Sequence, residues 1–327
     1  MDSFIKHIST YFPERSLSNK EISEKFTEWD NDKIVKKIGI KNRFIAGDNE
    51  FVSDMATKVA NKLFDENNFD RSQIDFVLLC TQSPDYYLPA TACIVQNNLG
   101  LRKNIGSLDF NQGCSGYVYG LSLAKGLIFA GTAKNVLLIT AETYTKHIHN
   151  EDKGNLSIFG DAATASVINN EDGLYKICDF TLGTDGSGSS DLIVKNGGLR
   201  NPKTDSKDID SGNFLYMNGT AVFNFTIENV PKLINQVLLK NNMDKSEIDQ
   251  FVLHQANSFM LNYLRKRSKI DKEKFVIDME NYGNTVSSTI PIALKNLIDK
   301  KNNKDNILIA GFGVGYSWGA TILKRCR

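Results

Sequence analysis

Asn67-Asn68-Phe69-Asp70-Arg71-Ser72-Gln73-Ile74-Asp75, followed by the strand-like Phe76-Val77-Leu78-Leu79, decides the fold because the chain repeats it. Asn241-Asn242-Met243-Asp244-Lys245-Ser246-Glu247-Ile248-Asp249 precedes Phe251-Val252-Leu253. About half of the 327-residue chain separates Ile74 from Ile248. A second echo pairs Lys134-Asn135-Val136-Leu137-Leu138-Ile139 with Asp305-Asn306-Ile307-Leu308-Ile309-Ala310, and Asn135 and Asn306 stand nearly the same distance apart in sequence. A third, looser one pairs Gly160-Asp161-Ala162-Ala163-Thr164-Ala165 with Trp318-Gly319-Ala320-Thr321-Ile322. Three echoes in one order imply two halves of similar fold, residues 1–172 and residues 173–327.

Within each half, short β-branched runs alternate with helical stretches. Ser53 to Glu66, with Met55, Val59 and Leu63 at helical spacing, precedes a strand over Ile74–Leu79. Helices over Ala90–Leu99 and Tyr117–Ala130 lead to strands Ser107–Phe110 and Val136–Thr140. The second half matches with helices Ala221–Lys240, Ser258–Lys266 and Ile290–Lys300 and strands Gln250–Leu253, Lys274–Asp278 and Asn306–Ala310. Alternation of this kind specifies an α/β fold with mixed or parallel sheets. Gly183 to Asn213, rich in Gly, Ser, Asn, Asp and Lys, reads as an exposed connector.

Charge is balanced, with 39 basic and 38 acidic residues, which points away from nucleic acid and from an acidic tail. No run reaches the roughly 18 apolar residues of a membrane span, and Met1 to His7 has no secretory pattern. The five cysteines are odd in number, widely spaced and without a CxxC pair, so neither a disulfide framework nor a zinc site is expected. A cytoplasmic protein with free thiols and no metal is the expectation.

Cys114, in Asp109-Phe110-Asn111-Gln112-Gly113-Cys114-Ser115-Gly116, sits where an apolar run gives way to a helical pattern. A helix N-terminus offers free backbone N–H groups and a positive dipole end, which favour a thiolate and an oxyanion. A lone cysteine is more often a small buried hydrophobe. His254 follows the strand Gln250–Leu253, and Asn284 follows the run ending at Asp278, within Tyr282-Gly283-Asn284-Thr285. A satisfied core histidine and an ordinary turn asparagine are the bland alternatives. All three residues follow core strands of the repeat, however, and strand ends are where open α/β sheets gather ligands.

Ala310-Gly311-Phe312-Gly313-Val314-Gly315-Tyr316-Ser317-Trp318-Gly319 lacks the following helix, second strand and acidic residue of a dinucleotide fingerprint. Close backbone approach to a ligand or to the thiol is the better use of these glycines. Cys114, His254 and Asn284, in that order and with a long separation between the first two, also match the spacing of a papain-like cysteine hydrolase. The flanks differ from that signature, which lies near the mature N-terminus, whereas Cys114 lies well inside this chain.

Taken together, Gln112-Gly113-Cys114-Ser115-Gly116-Tyr117, Phe159-Gly160-Asp161-Ala162-Ala163, Met217-Asn218-Gly219, His254-Gln255-Ala256-Asn257, Tyr282-Gly283-Asn284-Thr285 and Gly311 to Gly319 resemble the β-ketoacyl-acyl-carrier-protein synthase III family. The resemblance runs from about Ile5 to Leu323 and implies a thiolase-type fold of two βαβαβ halves in five layers, a homodimer. It implies a decarboxylative condensation. Cys114 takes the acyl group of an acyl-CoA, and His254 and Asn284 donate to the enolate left when a malonyl group on acyl carrier protein loses carbon dioxide. The same resemblance makes the N–H groups of Cys114 and Val314 the oxyanion hole and sets Phe312 beside the thiol. It also counts Asn257 among the substrate-binding residues. Acyl-CoA and malonyl carrier are substrates, and no cofactor is implied.

Departures bear on the substrate. Lys33 and Lys37 stand where the family often sandwiches the CoA adenine with Trp and Arg, while Trp29 sits four residues early. Lys153 replaces a second CoA-binding Arg. Leu88 stands where the partner subunit usually supplies a Phe to the acyl pocket, which implies a primer other than acetyl. Phe259 replaces a carrier-binding Arg, although Arg265, Lys266 and Arg267 keep a basic cluster for an acidic carrier protein. Gln82 stands where hydroxymethylglutaryl-CoA synthases place a Glu. Relatives that move the acyl group to an alcohol or amine without condensing usually alter the His or Asn, and both are present here.

Overall fold

The computed structural model describes residues 2–28, 31–300 and 304–326, without the side chains of residues 31–34. The first half runs β1 (Phe4–Tyr11), β2 (Arg15–Ser18), α1 (Asn19–Lys25), α2 (Asn31–Ile38), β3 (Asn42–Ile45) and α3 (Val52–Glu66). It continues with β4 (Phe76–Cys80), α4 (Thr91–Asn98), β5 (Gly106–Phe110), α5 (Gly116–Phe129), β6 (Asn135–Glu142), α6 (Lys153–Ile158) and β7 (Ala162–Asn169). The second half runs β8 (Tyr175–Ile177), β9 (Thr181–Thr184), β10 (Leu192–Val194), β11 (Leu215–Met217), α7 (Gly219–Lys240) and β12 (Gln250–Leu253). It ends with α8 (Ser258–Arg267), α9 (Thr289–Asp299), β13 (Asn306–Gly313) and β14 (Ser317–Arg325).

The strand order is β12-β13-β14-β8-β1-β7-β6-β4-β5, with β9 beside β14. A joint of two residue pairs, Phe4 with Lys176 and Ile5 with Tyr175, links the halves. On one side β4 lies parallel to β5 and β6, and β6, β7 and β1 are antiparallel. On the other, β12 lies parallel to β13, and β13, β14 and β8 are antiparallel.

The sequence echoes occupy matching places. Asn68 and Asn242, each just after the long helix of its half, both take the left-handed conformation, at φ 48° and 50°. Asparagine tolerates that region better than most residues. Asp75 Oδ2 accepts the N–H groups of Lys134 and Asn135 at 2.8 and 3.0 Å. Asp249 Oδ2 accepts those of Asp305 and Asn306, both at 2.9 Å. Each carboxylate thus starts the next parallel strand of its half.

Five layers follow from the period-2 alternation of the strands. Val77 and Leu79 face an outer core with Val59 and Leu63 of α3, while Leu78 faces inward. Phe251 and Leu253 face the other outer core with Leu233 and Val237 of α7, while Val252 faces inward. Between the sheets lie α5 and α9, packed through Val118, Leu121, Ile290 and Leu294. A helix enclosed by two sheets has little need of a polar stripe, as the run Gly116 to Phe129 shows.

Two expectations change. Lys274–Asp278 forms no strand and makes a single bridge, Phe275 to Phe251. Beyond it the Gln255 side chain takes the ladder positions, donating to Val276 O at 3.3 Å and accepting from Asp278 N at 2.7 Å. Gly183 to Asn213 is more than a solvated connector. It contains β10, which pairs with β11 and buries Leu192 against Leu215, Tyr144 and Cys114.

Candidate active site

Two strand ends and the turn before a helix deliver the chemistry. Cys114 follows β5 and precedes α5, His254 follows β12, and Asn284 precedes α9. All three line one cavity of about 60 Å3, walled by Phe159, Leu192, Met217 and Phe312. Its neighbour, a larger cavity of about 730 Å3, shares Ile158 and Met217 with it and runs along α6 and the β10–β11 pair. A third, of about 330 Å3, shares Tyr144 and Leu192 and includes Gln82, Asn111 and His147.

The backbone of β13 reaches the thiol closely. A Cβ on Gly313 would lie 2.9 Å from Cys114 Cβ and 3.0 Å from Sγ, and one on Gly311 would lie 2.6 Å from Ser115 Cα. Only glycine permits that approach. The expected thiolate is not the resting state. Burial pushes the Cys114 thiol up to about 12, and the Glu142 charge acts in the same direction. The N–H groups of Cys114 itself and of Val314 oppose the rise. The apolar wall outweighs the helix end.

Glu142, at the end of β6, carried no signal in the sequence beyond an acidic residue closing an apolar run. It is fully buried and accepts from Gln82 N at 3.0 Å, Ser83 Oγ at 3.0 Å and Ser287 Oγ at 3.0 Å. Burial raises its carboxyl to about 8, while the hydrogen bonds from Gln82, Ser287 and Ser83 pull the other way. Its hydrogen bonds tie the loop after β4 to the turn before α9.

His254 is 2% exposed, and burial lowers its ring to about 3, so the imidazole is neutral. Its main chain is pinned by His254 N donating to Ala310 O at 2.8 Å. The ring meets Phe312 edge-on, with centroids 5.6 Å apart, and Nδ1 lies 2.7 Å from Thr289 Oγ1. Asn284 is held by its backbone, with its N–H to Ile158 O at 2.8 Å and Gly160 N–H to its O at 3.1 Å. Its Oδ1 accepts Val286 N–H at 2.9 Å, which leaves the NH2 end of the amide as the free donor. Val286 is buried and sits at φ 54°, a conformation that costs a non-glycine residue roughly 1–3 kcal/mol.

The remaining expected residues fall in several places. Asn257 lines the cavity while its Oδ1 caps α8 by accepting Met260 N–H at 2.8 Å. Phe312 lines it too. Lys37 is exposed on α2 and away from this cavity, and Trp29 and the side chain of Lys33 lie outside the described residues. Lys153 opens α6 and pairs with Glu28 at 2.6 Å. Leu88 is 82% exposed and absent from its own chain's cavity. In the basic cluster, Arg265 donates to Ile270 O and Arg267 to Ile227 O, both at 3.1 Å, while Lys266 is exposed. Phe259 stacks on Phe223 at 5.7 Å. Among the described residues no cluster of His, Cys, Asp and Glu is arranged to hold a metal ion, and no helix is long and apolar enough to cross a membrane.

Residues 108–186 match the family described as 3-Oxoacyl-[acyl-carrier-protein (ACP)] synthase III, and residues 238–325 match its C-terminal part. A curated Beta-ketoacyl-[acyl-carrier-protein] synthase III of Clostridium perfringens is 37% identical over 316 residues, covering 96% of each chain. A crystal structure of a 3-oxoacyl-(acyl-carrier-protein) synthase III is similar at TM-score 0.95 and 43% identity, over 99% of this chain and 100% of the other. One from Thermus thermophilus is similar at TM-score 0.90 and 31% identity, over 99% of each.

Proposed function

This chain belongs to the 3-oxoacyl-[acyl-carrier-protein] synthase III family and is a condensing acyltransferase, and from that premise we propose that Cys114 carries the acyl group. The observation that carries the reading is the convergence of Cys114, His254 and Asn284 on one buried cavity. In the first stage Cys114 Sγ attacks the thioester carbon of an acyl-CoA, the carbon–sulfur bond to CoA breaks, and the thiol proton ends on the departing CoA sulfur. The N–H groups of Cys114 and Val314 stabilise the tetrahedral oxyanion.

In the second stage a malonyl thioester on acyl carrier protein loses carbon dioxide. The enolate carbon attacks the acyl-cysteine, the new carbon–carbon bond forms, the carbon–sulfur bond breaks, and the departing Cys114 thiolate takes a proton from solvent water. His254 and Asn284 donate to the enolate oxygen, whose charge exists only as the reaction proceeds. A neutral imidazole and an amide suit that task, because both donate without adding charge.

Substrate roles belong to the same proposal. Phe312 and Asn257 shape the cavity. The 730 Å3 cavity leads the thioester arm to Cys114, and the family resemblance assigns the CoA nucleotide to Lys33, Lys37 and Lys153. Arg265, Lys266 and Arg267 face an acidic carrier. Residues 1–172 supply the nucleophile, and residues 173–327 supply its two partners. We place the enzyme in the cytoplasm as a homodimer that needs no cofactor, Leu88 reaching the partner's acyl pocket; its 82% exposure supports that use.

Incubation with a series of acyl-CoAs, read by intact mass, tests the reading. One acyl adduct is expected, lost in Cys114→Ala. No adduct from any acyl-CoA removes the mechanism. An adduct with no carbon dioxide released from the malonyl carrier makes the chain a non-condensing acyltransferase.

A further inference from the structure

A neutral imidazole has one N–H, so His254 donates toward the cavity only when the proton is on Nε2 and Nδ1 is an acceptor. The structure gives Nδ1 one partner, Thr289 Oγ1 at 2.7 Å. That hydroxyl has a single proton and a second acceptor within reach, Val286 O at 3.1 Å. Val286 O already accepts the backbone N–H of Thr289, so it does not need the hydroxyl. The shorter contact and the satisfied carbonyl both send the proton to Nδ1.

We propose that Thr289 is a positioning residue whose hydroxyl donates to His254 Nδ1 and thereby fixes the Nε2–H tautomer. The inference deepens the reading above and rests on it for the purpose of that proton. Thr289 lies on the same turn that orients Asn284, since Val286 uses its N–H on Asn284 Oδ1 and its carbonyl on Thr289. The left-handed backbone of Val286 points these two groups to their separate partners. One buried turn therefore sets both donors, the amide through Val286 and the imidazole through Thr289. Other charged groups are kept from this decision. Burial drives the ring to its neutral form, and no charged side chain contributes to that shift.

The test reads the proton directly. The chain has four histidines, so nitrogen-15 NMR of histidine-labelled full-length protein resolves His254 once it is assigned by a His254→Asn variant. Wild type and Thr289→Ser are expected to show His254 as the Nε2–H tautomer. Thr289→Val, which keeps the shape and removes the hydroxyl, is expected to move it toward Nδ1–H. Condensation in that variant is expected to fall about 10- to 100-fold, the loss typical where the group orienting a metal-bound histidine is removed. Acylation of Cys114 by acyl-CoA stays within about threefold, since it draws on the backbone donors instead. An Nδ1–H tautomer in the wild type overturns the proposal, and that measurement stands even if Thr289→Val fails to fold. So does a Thr289→Val enzyme with unchanged tautomer and turnover. An Nε2–H tautomer in a protein that forms no acyl adduct sinks the functional reading alone.

Discussion

Asp75 and Asp249 do one job in the two halves, each clamping two N–H groups at the start of the next parallel strand. The strand ends nearby do different jobs. At the position before the central helix the first half has Cys114, leading into α5, and the second has Asn284, leading into α9. After the neighbouring parallel strand the first half has Thr81 and Gln82, and the second has His254. Duplication supplied a scaffold that faces equivalent strand ends toward each other. The residues at those ends differ, and the proposed mechanism gives the nucleophile to the first half and the two enolate donors to the second.

The largest expected effects break that division. Cys114→Ala abolishes acyl transfer. His254→Ala and Asn284→Ala each keep an acyl adduct while lowering condensation about 10²–10³-fold, the usual loss for one oxyanion donor. Quenched-flow release of carbon dioxide from the malonyl carrier checks this, and equal losses in acylation and condensation would dissolve the distinction between the halves.

A smaller effect concerns Glu142, which joins the halves through Ser287. Its carboxyl titrates near 8 in the folded chain instead of 4.5. The folded state therefore keeps a proton that the unfolded chain releases between those values, so this group lowers stability as pH rises from about 4.5 to about 8. Asp161, raised to about 6 by burial, adds a similar trend over a narrower range. Urea midpoints of Glu142→Gln measured against pH should lose much of the wild-type decline across that window. Parallel curves would show that Glu142 is ionised at neutral pH.

The smallest effects test the symmetry itself. Asp75→Ala and Asp249→Ala each strand two backbone donors and should cost about 1–3 kcal/mol by urea unfolding. Asp75 also pairs with Arg102 at 2.8 Å, so its loss is expected to be slightly larger. A large cost in one half and none in the other would deny that the clamps are equivalent.

Much of this was legible in the sequence because the signals were local. Asn67 to Leu79 and its echo carry a helix end, a turn and a strand in consecutive residues, so pattern alone locates them. Cys114 and His254 were legible as residues that follow strands, whereas the run before Asn284 forms none. The Lys274–Asp278 strand was misread because Gln255, from the loop after β12, occupies its ladder. Thr289 and Glu142 were invisible for a related reason. Their roles come from contacts with segments far off in the chain, His254 for Thr289 and Gln82, Ser83 and Ser287 for Glu142. The thiol state was misjudged because a helix N-terminus is written in the sequence, whereas the apolar wall around it is assembled from Tyr144, Phe159, Leu192 and Val286.

The most direct test of the central claim follows one adduct through both stages. Wild type and Asn284→Ala are loaded with the same acyl-CoA, freed of excess, mixed with malonyl-acyl carrier protein and read by intact mass over time. The account predicts equal loading on Cys114, with prompt discharge in the wild type and discharge slowed at least about 100-fold in the variant. Equal discharge from both proteins, or an acyl group found on any residue other than Cys114, would contradict it.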